Sequence, residues 1–130
     1  MQKSTVIIGA LFIVLAIIFG AFGAHALKEI LTEEKLISFE TGVRYQLFHG
    51  LGLLILGLLD DRLPFRMTLI SRLLIAGTLL FSFSIYLLAL SEQIGVSLKW
   101  LGPVTPIGGL LMIIGWIFFI AQVIKDSEKK

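Results

Sequence analysis

The sequence contains no cysteine. Disulfides, thiolate metal sites and cysteine nucleophiles are therefore excluded, and the redox state of the compartment stays unread. Charge is also scarce. Charged residues make up 15% of the 130 positions, 11 basic against 9 acidic, for a formal net charge of +2. The pI near 9.1 reflects no clustered basic patch, so no nucleic-acid partner is expected. Only three prolines and two histidines occur. A phosphate-binding Walker loop, an HExxH zinc helix and a GxSxG nucleophile turn are all missing. No catalytic residue, metal or cofactor is assigned from motifs.

What is there is apolar. Hydrophobic residues account for 57% of the chain without counting its 13 glycines, and the mean hydropathy is +0.98. A soluble domain of this size has too little interior to hide so much apolar surface. The chain therefore reads as an all-α integral membrane bundle of four transmembrane helices. A single domain, 1–130, is expected, with spans at about 5–26, 40–59, 72–90 and 103–124.

Each span has its own markers. Thr5 to Ala24 is uncharged and long enough for a bilayer core, which needs about 20 apolar residues. Lys3 before it and small residues after it also suit a signal peptide. Its length and the spans that follow favour a retained helix. Before the second span, Thr32 with Glu33 and Glu34 forms an N-cap signal. No proline then intervenes before Leu59. One helix over that stretch would be roughly 40 Å long, more than the hydrocarbon thickness; a break near Gly42 is the alternative. Asp60, Asp61, Arg62 and Pro64 end it. Ser82, Ser84 and Tyr86 are the polar interruptions of the third span. Pro103 and Pro106 fit the first turn of the fourth, beside an interfacial Trp100. The tail from Lys125 is expected to fray.

Lys3, Arg62, Arg66, Arg72, Lys125, Lys129 and Lys130 fall on the side of the termini, and Lys28, Lys35, Arg44 and Lys99 on the other. The positive-inside bias predicts a multi-pass protein of the plasma (inner) membrane with both termini cytoplasmic. Lipid supplies no hydrophobic drive between helices, so small residues should mark the contacts. Gly20 and Gly23, Gly42, and Gly108, Gly109 and Gly115 are the packing candidates, alongside Ala16, Ala24, Gly9, Gly50 and Gly52. The same surfaces suit a homo-oligomer equally.

The candidate polar site is His25, Glu40, Arg44, Tyr45, Gln46 and His49. Ser38, Gly42, Tyr45 and His49 share one helical face, expected to look inward with Gln46 on its flank. Glu40 and Arg44 are spaced for an ion pair with the acid first. His25 and His49 are expected near the same end. Histidine titrates, shuttles protons or binds metal, or simply joins packed helices. Two histidines with Glu40 as a third ligand make a weak metal signal, and no motif supports haem.

Three segments together, GAFGAHALK (Gly20 to Lys28), ETGVRYQLFHGLGLL (Glu40 to Leu54) and TPIGGLLMIIGW (Thr105 to Trp116), resemble the YgdD/YwdK-like family of small membrane proteins, a family of unknown function. The resemblance spans nearly the whole chain in order. It implies a four-helix plasma-membrane protein without an assigned activity and carries over no catalytic residue. The matched Gly20, Gly23, His25, Tyr45, Gln46, His49, Pro106, Gly108 and Gly109 suit a shared site or a shared packing core.

Three functions remain open. The first is a non-enzymatic protein binding membrane lipid or a protein partner of unknown identity. The second is a small solute or ion transporter or channel acting as an oligomer. The third is a membrane enzyme or cofactor protein using the histidines.

Overall fold

In the computed structural model, which describes residues 1–128, every long apolar run is helical. Lys129 and Lys130, counted in the charge bias, lie outside the described residues. Helix α1 is Lys3–Ala24, and a short α2, Ala26–Ile30, turns the chain toward α3, Glu33–Leu59. Helix α4, Thr68–Thr78, continues through a π-helical segment, Leu79–Phe83, into α5, Ser84–Ile94. Helix α6 is Val104–Ser127. Four helical stretches are long and apolar enough to cross a membrane: Lys3–Ala24, Glu33–Arg62, Thr68–Ile94 and Lys99–Ser127. The protein is an all-α membrane bundle.

Local chemistry explains the ends. The Thr32 side chain accepts from the Lys35 amide, and Glu33 and Glu34 occupy the first turn of α3. The helix then runs unbroken past Gly42, where packing against the Tyr86 ring outweighs the low helix propensity of Thr41, Gly42 and Val43. Gly95 ends α5 with a φ of +73°, a left-handed conformation that costs glycine least. The tail expected to fray instead stays helical to Ser127; no proline or glycine interrupts it after Gly115. At the other end of α1, Gln2 ties the chain to the loop after α3. Its backbone N–H donates to the Gly57 carbonyl at 2.9 Å. Its side chain donates to Asp60 Oδ1 at 3.0 Å and Thr68 Oγ1 at 3.1 Å.

Helix α1 lies against α3, α3 against the third span, and the third span against α6. Two of these contacts are backbone on backbone. A Cβ placed on Gly9 would sit 2.7 Å from the Leu54 nitrogen and 2.8 Å from the Gly50 oxygen. One placed on Gly77 would sit 2.8 Å from the Gly108 oxygen and the Met112 nitrogen. Gly42 faces the Tyr86 ring and Gly115 faces Leu74 at similarly close range, 2.7 and 2.9 Å. Gly20, Gly23 and Gly109 are looser: a Cβ there would meet its nearest neighbour at 3.5 to 3.6 Å, ordinary contact. Gly57 and Gly77, not singled out in the sequence, are tight too, with nearest atoms at 2.8 and 2.7 Å.

The third span keeps one face inward by an unusual spacing. Ile70, Leu74, Thr78, Ser82 and Tyr86 recur every four residues, and all are buried. In a plain α-helix such a series drifts by about 40° per step. The wider π turn takes up much of that drift. Hydroxyls serve the carbonyls nearby: Thr78 Oγ1 donates to the Leu74 oxygen at 2.7 Å, and Ser84 Oγ donates to the Phe81 oxygen at 2.9 Å.

Adjacent glycines should respond oppositely to a methyl group. Gly108→Ala drives a Cβ into the backbone of the third span and is expected to destabilise by about 1–3 kcal/mol. Gly109→Ala meets only the Phe81 ring and should be neutral or stabilising by up to ~1 kcal/mol, the difference in helix propensity. Reversible unfolding in detergent micelles measures both.

Candidate functional site: a buried polar junction and a charged rim

The polar residues of α3 divide into two groups. The inward group centres on Gln46, near the middle of the helix and fully buried. Its Nε2 donates to the Phe12 carbonyl of α1 at 2.9 Å, and its Oε1 accepts from the Tyr86 hydroxyl at 2.7 Å. One amide therefore joins three spans. Beside it, Ser82 Oγ donates to the Gly42 carbonyl at 2.8 Å. An unmet amide in hydrocarbon costs several kcal/mol, on the order of a lost transfer to water, so this satisfaction is what lets Gln46 be there. Tyr86 reaches it through an aromatic cage of Phe19, Phe39 and Phe83, with ring centroids 4.9, 4.8 and 5.6 Å away.

The inward face of α3 runs Phe39, Gly42, Gln46, His49, Gly50, Leu53. The expected face shared Gly42 and His49 with it but included Ser38 and Tyr45, and both of these are exposed. The rotation has a plain cause. Phe39 belongs to the aromatic cage, which pulls it inward and turns Ser38 out, where its hydroxyl donates to the Glu34 carbonyl at 3.1 Å. Tyr45 lies on the flank with its ring against Phe81, centroids 4.8 Å apart.

His49 is engaged at both ring nitrogens. Nδ1 donates to the Tyr45 carbonyl at 2.8 Å, and Nε2 accepts from Trp116 Nε1 of α6 at 3.1 Å. These contacts require the proton on Nδ1 and leave no free lone pair for a metal. Trp116 also closes over Gly52, whose Cβ would lie 3.3 Å from the indole. His25 is elsewhere. It sits at the α1–α2 turn, exposed, beside Ile18, Phe22 and Ala26. Gly9 is level with Gly50, and Gly23 with Phe39, so His25 and His49 stand roughly 20 Å apart along the bundle. Among the described residues no three histidine, aspartate or glutamate side chains converge.

The outward group is Glu40 and Arg44. Both are exposed, and neither forms an ion pair among the described residues. They edge an apolar groove between α1 and α3 walled by Phe19, Gly20, Gly23, Val43 and Leu47. The loose fit at Gly20 and Gly23 is the floor of that groove. The structure thus brings Gln46 and His49 into one interior, puts Glu40 and Arg44 on a rim, and leaves His25 and Tyr45 outside both.

Some connecting residues escaped the sequence reading. Lys35 pairs with Glu92 at 2.6 Å and the Gln93 side chain donates to the Ile30 carbonyl at 3.0 Å, closing the end opposite the termini. Ser71 Oγ is buried without a hydrogen-bond partner among the described residues. Long-range pairing of this kind leaves no local pattern to detect.

The junction should behave as a unit. Tyr86→Phe and Gln46→Leu are each expected to destabilise by about 1–2 kcal/mol, each leaving the other group unpaired. The double substitution should cost less than the sum, by about 0.6–1.7 kcal/mol. A double-mutant cycle measured by unfolding in micelles reads the difference, and strict additivity would contradict the bond.

Comparison with known proteins yields relatives without an assigned activity. A family model described as "Protein of unknown function (DUF423)" matches residues 19–109. The chain is similar to the UPF0382 membrane protein YwdK of Bacillus subtilis (strain 168), 38% identical over 95% of this chain and 98% of the relative. It is similar also to a UPF0382 membrane protein of Staphylococcus epidermidis, 39% identical over 95% and 98%. A Staphylococcus aureus relative, UPF0382 membrane protein SAB0533, is 40% identical with the same shares. No solved structure matches.

Proposed function

The chain belongs to the protein family of unknown function DUF423, and from that premise we propose that it is a non-enzymatic plasma-membrane protein that binds phospholipid in the groove between α1 and α3. The observation that carries this reading is the unpaired Glu40 and Arg44 at the rim of apolar walls. Arg44 lies fifteen residues from Leu59, where α3 ends, or about 22 Å along the axis. With Leu59 near one boundary of a core about 30 Å thick, Arg44 sits below the opposite headgroups. Its side chain is long enough to reach a phosphate by snorkelling. Glu40 is one turn nearer water and suits an ammonium group. Opposite charges one turn apart match a zwitterionic phosphoethanolamine headgroup, with an acyl chain lying over Gly20 and Gly23.

The interior supports binding over transport or catalysis. A solute path through the bundle would have to break the Gln46–Tyr86 bond and the aromatic cage around it. Both His49 nitrogens are occupied, and His25 is too distant to cooperate with it. The basic residues Lys3, Arg62, Arg66, Arg72 and Lys125 favour cytoplasmic termini.

Two measurements test this reading. Because the chain has no cysteine, single cysteines report topology. Val96→Cys should react with an impermeant maleimide in intact cells, and Glu128→Cys only after permeabilisation; the reverse pattern would invert the orientation. In native mass spectrometry, the protein should retain phosphatidylethanolamine. Glu40→Gln with Arg44→Gln should lower that retention by about five-fold, the effect of losing roughly 1 kcal/mol of charge-assisted contact. Equal retention by both proteins would sink the groove as a lipid site.

A further inference from the structure

A second groove lies at the other end of the bundle, between α4 and α6. Leu69, Phe118 and Ala121 form its apolar wall, and Arg66, Gln122 and Lys125 stand around it. Arg66 comes two residues before α4 begins, and Lys125 lies in the last turn of α6. The groove therefore opens to the bilayer at the level of the headgroups, on the side that carries both termini.

We propose that this groove is a binding site for an anionic phospholipid of that leaflet. Its phosphate sits between Arg66 and Lys125, the Gln122 amide donates to it, and one acyl chain lies along Leu69, Phe118 and Ala121. The inference rests on different residues from the α1–α3 groove and does not depend on lipid binding there.

Charge is the first support. Arg66 and Lys125 are both exposed and make no ion pair among the described residues. Of the carboxylates at this end, three have other partners, and Glu128 makes no ion pair among the described residues. Asp61 faces the Met1 nitrogen. Asp60 accepts from Gln2 and from the Met67 amide at 3.0 and 3.3 Å. Asp126 has an interaction of its own. Two like charges around one recess repel each other unless an anion comes between them. At the α1–α3 rim the charges are opposite, so the two grooves call for different headgroups.

Shape is the second support. A free phosphate ion would need the two cations but not the apolar wall. Leu69 and Phe118 are large, exposed and continuous with the charged rim. A tethered acyl chain uses both parts at once. Basic recesses between transmembrane helices on the cytoplasmic side are suited to acidic headgroups for this reason.

The test is competition on the full-length protein. It is supplied with equal amounts of phosphatidylglycerol and phosphatidylcholine, and retained lipid is counted by native mass spectrometry. Phosphatidylglycerol should exceed phosphatidylcholine by about five-fold or more, the effect of roughly one basic side chain's attraction at a membrane surface. Arg66→Gln with Lys125→Gln, both on exposed side chains, should bring the two lipids to parity. Ala121→Trp keeps both charges but fills the groove, and should lose most of the retained phosphatidylglycerol. Glu40→Gln with Arg44→Gln should leave the preference intact. Parity in the unaltered protein, or a preference that survives the loss of both charges, would overturn the site. Full retention by Ala121→Trp would also overturn it, by showing attraction to surface charge without a groove.

Discussion

The bundle depends on how closely its backbones approach. In a bilayer, burying one apolar side chain against another gains little over burying it in lipid, so helices adhere where they touch most tightly. Gly9 against Gly50 and Gly77 against Gly108 supply such contacts, one in each half of the molecule. Between the halves lies α3 against the third span, where Gly42 admits the Tyr86 ring. That close approach brings the Tyr86 hydroxyl within reach of Gln46. The polar junction is thus a result of the glycine contacts and also reinforces them, since an amide in hydrocarbon locks the geometry that satisfies it.

The architecture was legible because length and hydropathy speak directly about a membrane. Twenty uncharged residues have few other uses, and the N-cap at Thr32 announced an α3 longer than its apolar run. Glycines were a coarser guide. Gly108 and Gly115 sit at close contacts, whereas Gly109 beside them does not, because neighbouring positions on a helix point about 100° apart. The polar face of α3 was misjudged by about one residue. Periodicity gives a stripe, but the choice between Ser38 and Phe39 as its start is made by aromatic rings on other helices. The separation of His25 from His49 was likewise hidden, because it depends on which residues of α1 and α3 stand level. Trp116 could not be matched to His49 from a sequence in which they stand 67 positions apart.

Charge is distributed as the interior's dryness requires. Apart from Ser71, the buried polar groups are neutral side chains that bond to one another or to backbone. The charged ones lie on rims and ends, where water or lipid headgroups are within reach, while His49 stays inside with both ring nitrogens bonded. Glu40 and Arg44 mark one leaflet, and Arg66 and Lys125 mark the other.

The π segment of the third span has a consequence for how this chain tolerates changes in length. Above and below it, residues look toward the same partners because one surplus residue is stored in the wide turn. Deleting one position within 79–83 would remove that surplus, close the turn into a plain α-helix and leave Tyr86 facing Gln46. Adding one position there would instead turn everything beyond by about 100°, carrying Tyr86 away from Gln46 and Ser84 away from Thr105, 2.6 Å from it here. Hydropathy would be unchanged and the fit between helices lost. The segment is therefore a phase mark that has room for one loss and none for a gain.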